Sequence, residues 1–169
     1  MSQDRSSIVV LGIGNELLRD EGAGVVAARV LMQDKLPPGV RVVDAGTGGL
    51  DLLFEMEGAD VAIIIDAADM GLEPGAVRVF SPEEADIELM QNMASLHQIG
   101  LADVLQIGGL TGPMPEVRII GIQPEEIAPG TGLSVKVGQV IGDVAARARE
   151  VIAQFTECPQ SGERRQAPG

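Results

Sequence analysis

The chain contains no tryptophan and no tyrosine, and phenylalanine occurs only three times. Stacking platforms for bases are therefore missing. The core has to be aliphatic, built from Ile, Val, Leu and Ala, which favours an α/β fold over a β-sandwich with aromatic anchors. Basic residues are also scarce: 12 Lys and Arg stand against 25 Asp and Glu, a net charge of −13. That balance opposes approach to a polyphosphate backbone and makes nucleic acid a poor partner. A single cysteine, Cys158, excludes an intrachain disulfide and a thiolate metal cluster and fits a reducing cytosol. No apolar run approaches the roughly 20 residues that a membrane-spanning helix needs, and the polar start MSQDRSS has no apolar signal core. The expectation is a soluble, cytoplasmic, monomeric protein with no membrane partner.

What is present is an alternation of apolar runs and amphipathic stretches. Ile8-Val9-Val10-Leu11 is a continuous aliphatic run that suits a strand covered on both faces, and Gly12 and Gly14 turn the chain immediately after it. Further strands are expected at 40–43, 61–65, 76–80 and 117–122. Helices are expected over 22–35, 50–57 and 134–155, the last with Val137, Ile141, Val144, Ala148, Val151 and Phe155 along one stripe. Ser81-Pro82-Glu83-Glu84 has the composition of a capping box, and Ser95 is a candidate N-cap for a helix that carries His97 in its first turn. The pattern predicts a three-layer α/β/α sandwich around a mostly parallel, twisted sheet of about five strands. One domain over residues 1–156 is expected, with a polar, disordered tail at 157–169.

The chemistry-bearing residues sit where strands end. The glycine pair at 12 and 14 is not a dinucleotide fingerprint: the third glycine's place is held by Leu17, and Asp20 and Glu21 would repel a pyrophosphate. Instead the first turn delivers Asp20 and Glu21, the second strand ends at Asp44 before Ala-Gly-Thr-Gly-Gly, and the third ends at Asp66. In a parallel sheet these ends share one edge, so Glu21, Asp44 and Asp66 are expected to gather there. Neighbouring, partly desolvated carboxylates repel, and each either takes up a proton or shares a cation. Two carboxylates and one imidazole, with His97 the only histidine, make a ligand set compatible with nickel, zinc or iron and poor for copper(I). From spacing alone, a hydrogen-bonded helix histidine and a ligand are equally good readings of His97.

Five stretches in order carry a resemblance: Gly12-x-Gly-Asn-x-Leu-x-x-Asp-Glu-Gly, Asp44-Ala-Gly-Thr-Gly-Gly, Asp66-Ala at a strand end, Ser95-x-His-Gln-x-Gly-Leu-Ala-Asp-Val-Leu, and Gly121-Ile-Gln-Pro-Glu. With them the chain resembles the nickel-iron hydrogenase maturation endopeptidases from about Ile8 to Phe155. The resemblance implies removal of a C-terminal extension from a hydrogenase large-subunit precursor. It also implies that Glu21, Asp66 and His97 read nickel already inserted in that precursor, so the nickel comes with the substrate. Asp44 matches the acidic residue implicated in processing, which makes Asp44 and Asp66 the candidate catalytic carboxylates. Gly46, Thr47 and Gly48 are candidates for gripping an extended peptide, because missing side chains let a backbone approach closely; a tight strand-to-helix turn explains the glycines equally well. Ala45 stands where some members have glycine. Two other readings use the same residues: a non-catalytic, nickel-sensing or chaperone-like precursor-binding protein, and a small-molecule metallohydrolase.

Overall fold

The computed structural model describes residues 6–86, 88–89 and 100–157. Its elements are β1 (Ile8–Gly12), α1 (Ala23–Leu31), β2 (Val40–Asp44), α2 (Asp51–Met56), β3 (Val61–Ala67), β4 (Val77–Phe80), α3 (Leu101–Thr111), β5 (Glu116–Ile122) and α4 (Val135–Glu157). The strands form one sheet in the order β2-β1-β3-β5-β4. All neighbours are parallel except β4, which runs antiparallel to β5 on the edge. The short connection after β3 explains that edge, because it is too short to carry the chain back across the sheet for a parallel pairing.

Every residue of β1 and β3 is buried, as expected for central strands covered on both faces. Alternation along the strands divides the core in two. Ile8, Val10, Ile63 and Ile65 pack with Ala27 and Leu31 of α1 and with Val137, Ile141, Val144, Ala148 and Val151 of α4. Val9, Leu11, Ala62 and Ile64 pack on the other face with Leu52 and Met56 of α2 and with Leu101 and Val104 of α3. Each such side chain contributes on the order of 1.5–3 kcal/mol by leaving water, and the cores are aliphatic except for Phe80, which is buried in the α2/α3 face, and Phe155, which packs against the α1/α4 face.

Element boundaries differ from the sequence expectation in informative ways. The stretch 19–22 is a separate 3-10 turn ahead of α1, and α1 ends at Leu31 instead of continuing to 35. At Ser81 the capping bond forms, with the Ser81 N–H donating to the Glu84 carboxylate at 2.7 Å, and the turn it opens is a 3-10 turn over 82–84. Helix α3 begins at Leu101, with Gly100 as N-cap and its N–H donating to Asp103 at 3.3 Å. Helix α4 runs to Glu157, one residue into the expected tail, and residues 158–169 lie outside the described residues, as do Ser95 and His97.

Candidate active site at the carboxyl edge of the sheet

The site is assembled on the turn after β1. Ile13 N–H donates to the Ile65 carbonyl at 2.9 Å and Gly14 N–H to the Gly46 carbonyl at 2.7 Å, so the turn is bonded to the ends of both flanking strands. Helix α1 then approaches unusually closely. A Cβ on Gly12 would lie 2.4 Å from the Ala28 Cβ, and one on Gly24 would lie 2.2 Å from the Ile13 and Ile65 carbonyl oxygens. Only glycine allows this packing, and it presses the 19–22 turn against the end of β3. Glu21, on that turn, and Asp66, near the end of β3, are thereby brought to one buried edge; they are 6% and 1% exposed. This edge lies between β1 and β3, where the chain's connections diverge to opposite sides of the sheet, the place where doubly wound folds bind ligands.

The two acidic neighbours on the turn do different things. Asp20 is fully buried and accepts hydrogen bonds from the Glu125 and Glu126 N–H groups at 2.9 Å each, from Ser134 N–H at 2.7 Å and from Ser134 Oγ at 2.8 Å. Burial works to raise its carboxyl, but the bonds from Glu126, Ser134 and Glu125 outweigh it and hold the group below its ordinary value. Asp20 is thus a clamp between the turn and the 125–134 segment, and it does not cap the turn it sits in. Glu21 is the opposite case. Its Oε2 is buried with no hydrogen-bond partner among the described residues, and burial raises its carboxyl above the ordinary value. A buried carboxylate oxygen without a donor carries a real cost, and such groups mark places where a proton or a cation arrives.

The other predicted residues fall as follows. Asp44 ends β2 and pairs in register with Gly12, but alternation sends it to the α1 face with Val40 and Val42, whereas Asp66 shares the α2/α3 face with Ala62 and Ile64. Strand β1 separates them, a span of about 10 Å across two strand spacings. The structure therefore does not bring Asp44 and Asp66 together as a carboxylate pair. Asp44 instead meets Arg29, with Oδ2 2.7 Å from Nη2, and accepts Gly46 N–H at 3.1 Å. Gly46 and Gly48 are in left-handed conformation at φ 52 and 74, Thr47 is exposed, and the Cβ position of Gly46 faces open space. Among the described residues no group of three His, Cys, Asp or Glu is arranged to hold a metal ion; the expected trio includes His97, which lies outside them.

Gln123 is a residue that sequence reasoning quoted but left without a role. Only 7% exposed, it accepts from Met70 N–H at 2.7 Å and Leu72 N–H at 3.2 Å and donates to Asp69 at 3.1 Å. It thereby fixes the segment that leaves β3 just beyond Asp66. The side chain beside Asp66 in register is absent, since its β5 partner is Gly121.

Fold order and site position define a doubly wound α/β protein with its acidic site at the β1/β3 switch point. A family model described as hydrogenase maturation protease matches residues 25–151, a span that includes Asp44, Asp66 and His97 and begins just after Glu21. Hydrogenase 2 maturation protease of Escherichia coli is 40% identical over 137 residues, covering 79% of this chain and 83% of that protein. HoxM, a hydrogenase expression/formation protein of Azotobacter vinelandii, is 41% identical over 123 residues, 72% of this chain. The match spans 59% of that HoxM's length and 62% of the HupM of Azotobacter chroococcum. Among solved structures, the hydrogenase maturating endopeptidase HybD from E. coli superposes with a TM-score of 0.78 at 37% identity, over 87% of this chain and 92% of that one. The chain belongs to the hydrogenase maturation protease family.

Proposed function

We propose that this chain is an endopeptidase that removes the C-terminal extension of a nickel-iron hydrogenase large-subunit precursor after nickel insertion, working as a monomer in the cytoplasm. Glu21, Asp66 and His97 read the nickel carried by the precursor, and cleavage follows only when it is there. The observation that carries this reading is the Glu21 carboxylate, buried, with Oε2 lacking a hydrogen-bond donor among the described residues, on a turn pressed against the end of β3 where Asp66 lies. An apolar residue would stabilise that position better, so the acid is retained for what it meets when the precursor docks. Family membership supports peptide-bond hydrolysis as the reaction.

Hydrolysis needs a water whose proton is taken up as it attacks the scissile carbonyl. A carboxylate at this edge, or the precursor's nickel, can supply that activation. Two oxygen ligands and one imidazole leave open positions around nickel, so the site binds a partly coordinated ion presented by another protein better than it strips a free one.

The test is processing by Asp66→Asn and His97→Ala chains whose folding is checked by circular dichroism. Both are expected to fold normally and to leave the precursor uncut. Normal processing by either variant would remove that residue from the site, and loss of folding in both would make them structural instead.

A further inference from the structure

Arg29 stands in the last turn of α1 with its guanidinium at the mouth of two loops. Its Nη1 donates to Glu16 Oε1 at 2.8 Å, and its Nε and Nη2 reach Asp44 Oδ2 at 2.9 and 2.7 Å. The other Asp44 oxygen accepts the Gly46 N–H, and the Gly46 carbonyl accepts the Gly14 N–H, two residues before Glu16. These bonds close a ring running Glu16, Arg29, Asp44, Gly46, Gly14. An isolated exposed ion pair does little, but a planar guanidinium serving two carboxylates within a ring of backbone bonds fixes a geometry. What it fixes is the spacing between the loop that leads into Glu21 and the glycine-rich loop after β2. At Gly46 and Gly49 the Cβ positions face open space, so an extended peptide backbone can come close there.

We propose that Arg29 is a positioning residue for precursor binding and that Asp44 acts through it, holding the Gly46–Gly49 loop at a set distance from the Glu21 turn. The proposal rests on the protease reading above. It assigns Asp44 to the shape of the peptide-binding rim: both its oxygens are engaged, and it lies on the sheet face opposite Asp66.

The test compares wild type, Arg29→Ala, Arg29→Lys, Asp44→Asn and the Arg29→Ala/Asp44→Asn double variant. Cleavage of nickel-loaded precursor is measured with kcat and KM separated, together with precursor affinity and amide hydrogen exchange at Gly46. Arg29→Ala is expected to raise KM about three- to tenfold, the range that two partly exposed ion pairs supply, with kcat within about twofold. Gly46 exchange accelerates in the same variant. Arg29→Lys recovers part of the loss, because an ammonium serves one carboxylate well but lacks the fork for both, and the double variant is no worse than the more affected single one. A fall in kcat with unchanged KM in Asp44→Asn would overturn the proposal by placing Asp44 at the reacting bond, as would unchanged KM and exchange in Arg29→Ala. If wild type cuts nothing, the protease reading fails while affinity and exchange still decide the ring: weaker binding with faster Gly46 exchange upholds it, and no change in either overturns it.

Discussion

Replacing Asp20 by asparagine isolates what holds the site's two halves together. The carboxylate receives four hydrogen bonds from residues 105 to 114 positions away, and no water reaches it. Asparagine keeps one acceptor oxygen. With that oxygen in the Oδ2 position it retains the Glu125, Glu126 and Ser134 hydroxyl bonds, while its NH2 group confronts the Ser134 N–H, donor against donor. One buried donor is stranded and the remaining bonds lose their charge assistance, for a loss of about 2–4 kcal/mol. At this chain length that lowers the thermal midpoint by roughly 4–16 °C. The loss depends on pH in a defined sense. A carboxyl held below its unfolded value, about 3.9, contributes stability that is present in full above that value and disappears as pH falls through the folded one. Urea denaturation of wild type and Asp20→Asn at neutral pH and at about pH 3 reads both effects. The gap is predicted to be wide and constant from pH 5 to 8 and to shrink in stronger acid. A variant within about 0.5 kcal/mol of wild type at neutral pH, or a gap indifferent to acid, refutes the clamp.

Glu21→Gln is predicted to act in the opposite direction on stability. The raised Glu21 carboxyl contributes stability below its unfolded value and loses it as pH rises through the folded one, so at neutral pH the neutral amide stabilises by about 1 kcal/mol while processing is lost; a destabilised variant that still processes would contradict this. Gly24→Ala forces a methyl onto two carbonyl oxygens and is expected to cost about 3 kcal/mol or more, visible as a lowered urea midpoint, whereas Gly49→Ala, which meets open space, acts only through its positive φ and costs less. Nickel-dependent processing should weaken as pH falls through the raised Glu21 value, because the ion must displace the proton; a rate flat over that interval would take Glu21 out of metal recognition.

Much of this architecture is legible in local pattern. The IVVL and VAIII runs announce central strands because burial on both faces demands continuous apolar sequence, and the α4 stripe announces itself through its helical period. Gly12 marks the turn, but its reason, the contact with Gly24 and Ala28, belongs to the packed structure. What sequence does not carry is the identity of long-range partners. Asp20 carries no sign in sequence of what it holds, because its donors lie more than a hundred residues on. Asp44 reads as a companion to Asp66 because both end strands, and only alternation against a known register sends them to opposite faces. Arg29 carries no local signal: its role follows from the turn of α1 that aims it at two loops. The start of α3 at Leu101 follows from Gly100 and Asp103, a capping pair that is a weak signal in sequence.

The central claim is tested most directly by the intact mass of a cognate large-subunit precursor after incubation with this protein, once nickel-loaded and once nickel-free. The account predicts a single truncation at the C-terminus in the loaded sample and full-length precursor in the other. Equal cleavage of both would contradict nickel recognition by Glu21, Asp66 and His97, and no cleavage of either despite a demonstrated complex would contradict the protease reading and leave a nickel-dependent binding protein.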